Sequence, residues 1–465
     1  MYLSCLFLQV FICSTQQNSY TQTNLMKSML ITTSTMGTLK RINAAHKRGQ
    51  MYHQIVPPSQ GEKIQVLANG QWIIPNEPII AFIEGDGVGS ELTPLMRQLI
   101  DSAILKTYET ARKIHWLEVY NGEKAAELYD GDWFPEETLN AIRDYHLVYK
   151  GPLTTAMGAG FRSLNVALRH EMDLFINLRP IKSLPNLNTP VKHPENIDMV
   201  IFRDNSEDLY SGIEFKAGSA QADSLLEFLQ QQLGVNRFRF TEQCGLGIKH
   251  ISEQGSKRLV RAAIAFALKE HKTSVTLVHK GDVMKFTDGA FLKWALEVAI
   301  EEFLAVRHPN GRWWQIIQGE HELIIKDELC DVMLQNCLLA PEQYDVIATT
   351  NLNGDLLVDS LTAQVGMIGM AAGANLSEAL ALFEPTHGTV ESLVGQDVMN
   401  PVSSILAGVM MLRFMNWHDA ADNIEQSLHK TLCNNQVTED MQSLLPDPTV
   451  QGTQAFAQCI ISHLI

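Results

Sequence analysis

From Tyr52 onward, apolar runs alternate with polar, glycine-bearing breaks, and the lengths of those runs predict the elements. Short β-rich runs at 55–58, 64–67 and 72–74 read as strands separated by Gly, Pro and Asn. The run 78–84 (PIIAFIE) is apolar almost throughout, as in a strand buried on both faces. It ends in Gly85-Asp86-Gly87-Val88-Gly89, after which the pattern predicts a helix over 90–104 and a strand over 113–120. A β-α-β opening of this kind predicts an α/β fold. Further strands are predicted at 146–150, 173–178, 198–203, 274–279 and 344–349. Helices are predicted from Ser163 to Arg169, over 224–233, over 255–271, over 327–339, and after Asn351. Composition shifts over 208–252, where short strands and one helix read as an inserted subdomain. Several strands end in polar residues, and open α/β sheets bind ligands at the carboxyl ends of their strands.

The glycine run after the first long strand resembles a dinucleotide fingerprint only weakly, because Ser90 stands where its third glycine belongs. A tight turn with Ser90 as helix cap is the preferred reading. Residues 1–61 contain no Asp or Glu and are rich in Ser, Thr, Gln and Asn. A secretory signal lacks its basic start here, and an organelle transit peptide fits the acid-poor composition better. The simplest reading is that residues 1–50 are a dispensable extension, disordered or upstream of a true start at Met26, Met29, Met36 or Met51. That reading predicts a cytoplasmic protein, with organelle import as the alternative.

The 465 residues exceed one core, so at least two packing units are expected. A net charge of −16 argues against nucleic-acid binding, and no apolar stretch is long enough for a membrane span. It leaves room for an anionic small substrate, which needs only a local cationic cluster. Seven cysteines with no C-x-x-C pair exclude a disulfide framework or zinc knuckle and fit a reducing compartment.

Asp355 and Asp359 stand four apart at the start of a predicted helix, after a strand and an Asn-Gly turn, so both carboxylates share one face. Two such oxygen ligands suit Mg²⁺ or Mn²⁺ with substrate oxygens completing the shell; acids in a first turn can also simply offset the helix dipole. Asp331 is a third ligand only if the fold or a partner chain brings it near. Arg162, Arg169, Arg179 and Arg203 all stand at element ends, which a polyanionic ligand explains better than four separate caps. Lys280 ends an apolar strand, where burial would lower its pKa and suit it to proton transfer, or where it is an ordinary strand-end lysine.

Six motifs occur in order: Lys150-Gly-Pro-Leu-Thr154-Thr, Arg162-Ser163-Leu-Asn165-Val-Ala-Leu-Arg169, Phe202-Arg203-Asp-Asn-Ser-Glu-Asp-Leu-Tyr210, Val278-His-Lys280-Gly, Asn351-Leu-Asn-Gly-Asp355-Leu-Leu-Val-Asp359 and Glu384-Pro-Thr-His387-Gly-Thr. Together, from about Met51 to the C-terminus, they resemble the bacterial-type isocitrate dehydrogenases of the β-decarboxylating dehydrogenase family. The resemblance implies an isopropylmalate dehydrogenase-like α/β fold rather than a nucleotide-binding Rossmann fold. It implies a large domain from 51–174 and 366–465, a small domain from 175–207 and 253–365, and a clasp over 208–252 that joins two subunits.

It also implies oxidative decarboxylation of isocitrate to 2-oxoglutarate in the tricarboxylic acid cycle, with isopropylmalate- or malate-type chemistry, or a non-catalytic scaffold, as alternatives. Ser163, Asn165, Arg169, Arg179 and Arg203 would hold the substrate carboxylates, and Ser163 with Asn165 separates isocitrate from isopropylmalate. Asp355, Asp359 and a partner's Asp331 would hold Mg²⁺ or Mn²⁺. Tyr210 would protonate the enol carbon with Lys280 relaying, Lys280 and Asp331 entering the partner's site of a homodimer. Asp282 departs from the Asn of the bacterial enzymes. Thr154, His387, Gly388, Thr389 and Asn400 would contact the coenzyme. The positions at which NADP enzymes of this type grip the 2′-phosphate carry Ser392, Leu393, Glu439 and Ser443, so NAD is expected to be favoured over NADP.

Overall fold

The computed structural model describes residues 52–154, 163–366 and 368–465. The expectations for residues 1–50, for the loop after Thr154 and for Arg162 lie outside them.

Its centre is a twelve-stranded sheet. In chain order the strands are β1 (Ile79–Ile83), β2 (His115–Glu118), β3 (Leu147–Lys150), β4 (Ile176–Lys182), β5 (Asp198–Asp204), β6 (Ser274–His279), β7 (Val306–Arg307), β8 (Trp314–Gln318), β9 (His321–Leu329), β10 (Val346–Thr349), β11 (Ala372–Leu376) and β12 (Ala381–Pro385). Their spatial order is β7-β8-β9-β6-β10-β5-β4-β11-β12-β3-β1-β2. Parallel wings lie on either side, β12-β3-β1-β2 and β9-β6-β10-β5. They meet through antiparallel pairs, β5 with β4, β4 with β11, and β11 with β12. The fully apolar strands β1 and β6 are buried along their whole length, as strands covered on both faces must be.

Helix α1 (Gly89–Tyr108) follows β1. It packs with Val402–Phe414, His418–Cys433 and Thr453–His463 over one wing of the sheet. A side chain at Gly408 would meet Ile100 Cδ1 at 2.8 Å, so this glycine permits the close helix contact. Glu253–Lys269 and Asp288–Glu297 cover the other wing. The insertion forms a two-stranded ribbon, Glu214–Phe215 with Leu246–Gly247, and a helix, Ala220–Gln231, capped by Ser219. Among the described residues no helix is long and apolar enough to cross a membrane.

The helix expected over 327–339 begins only at Cys330, because 327–329 continue strand β9 in register with β6. No strand forms at 55–58. Ser90 lies inside α1 and donates to Gly87 O at 2.8 Å instead of capping the helix. Gly85 and Gly87 take φ of +91° and +54°, and a Cβ on Gly87 would meet Thr389 O at 2.2 Å. Between them the buried Asp86 accepts from the backbone of Glu123 and Thr154, each at 2.8 Å. The glycine run therefore ties loops together at the strand ends, and the isopropylmalate dehydrogenase-like arrangement holds rather than a Rossmann fingerprint.

Candidate active site

A cavity of about 370 Å³ opens where the two wings meet. Ser163, Asn165, Arg169, Arg179, Arg203, Tyr210, Asp355, Asp359, His387 and Gly388 all line it. Arg179 and Arg203 project from β4 and β5, neighbours in the sheet, and both are buried. Arg169 ends the helix Leu164–Glu171, which starts after Ser163. Ser163 occupies the N-cap position without a side-chain hydrogen bond to the helix, so its hydroxyl is left to the cavity.

Two glycines make room for the arginines. A Cβ on Gly373 would fall 2.1 Å from Arg179 Nη1, and one on Gly354 would fall 2.6 Å from Arg203 Cγ. Gly354 lies inside the helix Asn351–Gln364, so the expected Asn-Gly turn is instead a helical residue stripped of its side chain for close approach.

Glu384 and Lys150 organise this cationic end, and neither received a role from the sequence. Glu384 is 3% exposed. It pairs with Lys150 Nζ at 2.9 Å and Arg169 Nη2 at 2.8 Å, lies 3.4 Å from Arg179 Nη2, and accepts from Asn375 at 2.7 Å. Burial alone would raise its pKa, but Lys150, Arg169 and Arg179 hold it well below the usual carboxylate range. Burial lowers Arg179 to about 10, which leaves it charged at neutral pH. Its Nε is fixed by Asn177 at 2.8 Å, while its buried Nη1 has no partner. Asn165 Oδ1 is likewise buried and unpaired. Buried polar atoms without partners are costly unless something satisfies them. Lys150 and Glu384 stood in quoted motifs, but only the fold shows that both are buried and paired.

Elsewhere in the lining Asp355 accepts from Arg203 and from the Tyr210 hydroxyl, and Arg203 Nε donates to Asn351 at 2.9 Å. Burial and the hydrogen bond to Asp355 push the Tyr210 hydroxyl up to about 12. Burial and the neighbouring Asp355 raise Asp359. Two adjacent carboxylates on one helix face, one of them raised, are hard oxygen donors that suit a divalent cation. Among the described residues no group of three His, Cys, Asp or Glu could hold a metal.

Asp331 and Lys280 do not reach this cavity. Lys280 Nζ pairs with Asp331 at 2.8 Å and Asp282 at 3.2 Å on the protein surface. Hydrogen bonds to those two carboxylates raise the pKa of Lys280. This corrects the expectation that burial lowers it: His279 is buried at the end of β6, but Lys280 lies beyond that end.

Of the expected coenzyme residues, His387 and Gly388 line the same cavity and the others lie outside its lining. Thr154 donates from its backbone to Asp86, and its hydroxyl lies 3.4 Å from Glu391. Burial lowers the pKa of His387, which borders the cavity with Gly388. Thr389 accepts from Val88 N at 2.9 Å. Ser392 and Leu393 lie in the short helix Glu391–Leu393. Glu439 and Ser443 lie in Glu439–Leu444, which Asn400 reaches through Asp440 at 3.0 Å.

A family model described as isocitrate/isopropylmalate dehydrogenase matches residues 79–460. Isocitrate dehydrogenase (NADP) of Pseudomonas aeruginosa is 49% identical over 416 residues, 89% of this chain and 100% of that protein. Isocitrate dehydrogenase (NADP) 1 of Colwellia maris is 49% identical over 417 residues, again 89% and 100%. The crystal structure of isocitrate dehydrogenase from Methylococcus capsulatus matches with a TM-score of 0.67 at 30% identity, covering 83% of this chain and 99% of that one. The curated relatives, including those of Coxiella burnetii, Helicobacter pylori and Staphylococcus aureus, carry NADP in their names. That finding overturns the expected preference for NAD. The inference treated Ser392, Leu393, Glu439 and Ser443 as the loss of a phosphate site. Four side chains do not exhaust the donors available, since serine hydroxyls and backbone N–H groups also bind phosphate oxygens.

Proposed function

The chain belongs to the isocitrate/isopropylmalate dehydrogenase family, and from that membership we propose a residue-level account of its reaction. It is an isocitrate dehydrogenase that oxidises and decarboxylates isocitrate to 2-oxoglutarate and CO₂. Its coenzyme is NADP, as in the relatives at 44–49% identity.

The observation that carries the account is the charge of the cavity lining: Arg169, Arg179 and Arg203 share it with Ser163, Asn165, Asp355 and Asp359, and Arg203 pairs with Asp355. Arg169, Arg179 and Arg203 take the carboxylates of a tricarboxylic acid in charge-assisted pairs. Arg179 Nη1 and Asn165 Oδ1 gain the partners they lack. Asp355 and Asp359 would hold Mg²⁺ or Mn²⁺, which supplies Lewis-acid stabilisation of negative charge on the substrate oxygen during CO₂ loss. Thr154, His387, Gly388, Thr389, Ser392, Leu393, Asn400, Glu439 and Ser443 would hold NADP, which would supply the hydride acceptor. Tyr210 keeps its proton at neutral pH, because its pKa is raised to about 12, and delivers it to the carbon that loses CO₂.

Lys280 and Asp331 complete the site from a second copy of the chain. They are surface residues paired with each other. Apolar side chains nearby in sequence are exposed in the single chain, Phe286 at 92% and Leu339 at 78%. Large exposed apolar groups of this kind mark association surfaces. In this account the β4–β11 junction is the boundary between two domains, 51–174 with 366–465 and 175–207 with 253–365, and 208–252 is the clasp.

The test compares isocitrate, isopropylmalate and malate with NADP and Mg²⁺. Isocitrate alone should yield CO₂ and NADPH at enzymatic rates; equal use of isopropylmalate would overturn the substrate assignment. Oxalosuccinate separates the steps: Tyr210→Phe should reduce it normally and decarboxylate it slowly.

A further inference from the structure

Two buried carboxylates and a largely covered lysine outside the cavity meet where the active-site segments converge. Asp208 and Asp288 are 0% exposed, and Lys249 lies between them, its Nζ 2.8 Å from Asp208 Oδ1 and 3.1 Å from Asp288 Oδ2. The second contact is an ion pair too oblique for a hydrogen bond. The remaining acceptors hold backbone and amide donors. Asp208 Oδ2 accepts from Leu352 N at 3.0 Å, in the first turn of the helix that bears Asp355 and Asp359. Asp288 Oδ1 accepts from Lys280 N and from Asn353 Nδ2, both at 3.0 Å. Asp208 also stands two residues before Tyr210 and adopts φ of +73°, a conformation that costs an L-residue energy unless its surroundings enforce it.

Burying one cation with two anions is poor for stability, since desolvation offsets most of the attraction. What the cluster does secure is geometry: one lysine from the clasp fixes the start of the Tyr210 turn, the carboxylate-bearing helix and the Lys280 backbone. We propose that Lys249, with Asp208 and Asp288, is a positioning unit for proton transfer, tying Tyr210, Asp355 and Asp359 to Lys280. The proposal rests on the reaction assigned above. In a dimer with shared sites, the cluster links what a chain gives its own site to what it gives its partner's.

The test uses the full-length enzyme with NADP and Mg²⁺. Lys249→Met keeps the length of the side chain and removes the charge. It should lower kcat about 10²-fold, as loss of aligned acid–base groups does. The KM for isocitrate should change less than about threefold, because the arginines are untouched. Oxalosuccinate decarboxylation should fall more than its reduction. Asp208→Asn keeps an acceptor for Leu352 N and a residue type that tolerates positive φ, and it neutralises the excess charge. Its single oxygen cannot accept from both Leu352 N and Lys249 Nζ, so it should lose part of kcat, and Asp208→Ala, which keeps neither contact, should lose clearly more. If Lys249→Met does not fold, the contrast between the two Asp208 variants still decides the matter. A normal kcat in folded Lys249→Met, or equal kcat in the Asn and Ala variants, overturns the positioning role. Tyr210→Phe and Lys280→Met are the controls: if they too are fully active, the assigned reaction chemistry has failed rather than this inference.

Discussion

The cationic end of the cavity and the Lys280–Asp331 patch use the same charge types in opposite surroundings. Glu384, Lys150 and Arg179 are buried and interlocked, every one of them held by residues of the same chain. Among the described residues the side chains of Lys280 and Asp331 pair with each other, and Lys280 with Asp282, at the surface. Burial makes the first group rigid and leaves one atom of it, Arg179 Nη1, without a partner. Exposure makes the second cheap to form and, in one chain, chemically idle. The contrast teaches that the cationic cluster is built entirely within one protomer, whereas proton transfer is proposed to need two.

The largest effect should come from breaking the buried group. Arg179→Met removes the side chain whose Nη1 lacks a partner and leaves Glu384 with one cation fewer. The expected loss is about 10³–10⁴-fold in kcat/KM for isocitrate, the cost of truncating a buried charged hydrogen-bonding partner. Steady-state kinetics on protein with native circular dichroism checks it; a loss below tenfold would remove Arg179 from the substrate site.

Breaking the exposed group should act differently. Lys280→Met should reduce kcat by about 10²–10³-fold through loss of a proton-transfer group. Its thermal midpoint should stay at the wild-type value, because no buried contact is lost. A lowered midpoint with normal kcat in the folded protein would make Lys280 structural.

Glu384→Gln sharpens the comparison through pH. The folded pKa of Glu384 lies well below its ordinary value of 4.5, so its contribution to stability is present above that value and lost as pH falls through the folded pKa. Glutamine cannot balance Lys150, Arg169 and Arg179. The variant should be about 3 kcal/mol less stable at pH 7, the cost of breaking a buried pair. The deficit should shrink below pH 4.5. Urea unfolding across pH 3–8 measures it (a range of ~5 units that brackets the carboxylate titration), and a deficit independent of pH would contradict the ion-pair account.

The sequence displays what is local and hides what burial creates. Strand β6 and the helix that presents Asp355 and Asp359 follow from apolar runs and an i,i+4 spacing. Strand β9 is absent from the sequence reading altogether, and its last three residues read as a helix start, because the acids and apolar residues around Asp327 suit one until β6 pairs with them. Glu384, Lys150 and Asp208 look like ordinary surface charges in the text, since their partners lie far along the chain. The coenzyme reading failed for a related reason: it counted missing side chains without the surface on which other donors sit.

The smallest effect is the most discriminating. Equal amounts of Tyr210→Phe and Lys280→Met chains, unfolded and refolded together, form mixed dimers about half of the time if association is random. Tyr210 lines the cavity of its own chain, while Lys280 does not. If Lys280 serves the partner, a mixed dimer holds one site with both defects and one with neither. Half of the dimers then carry one intact site each, so the mixture should regain about a quarter of wild-type activity, far above either parent. If Lys280 instead reaches its own chain's cavity by a rearrangement, every site in every dimer keeps one defect and the mixture stays as slow as its parents. Arg179→Met mixed with Lys280→Met should behave as the first case does, because Arg179 also belongs to its own chain's cavity. Arg179→Met mixed with Tyr210→Phe should regain about a quarter as well only if one site per mixed dimer escapes both changes, and it cannot: each site has its own chain's defect. That pair is therefore the internal control, and activity regained there would mean that one of Tyr210 and Arg179 crosses the interface and the other does not.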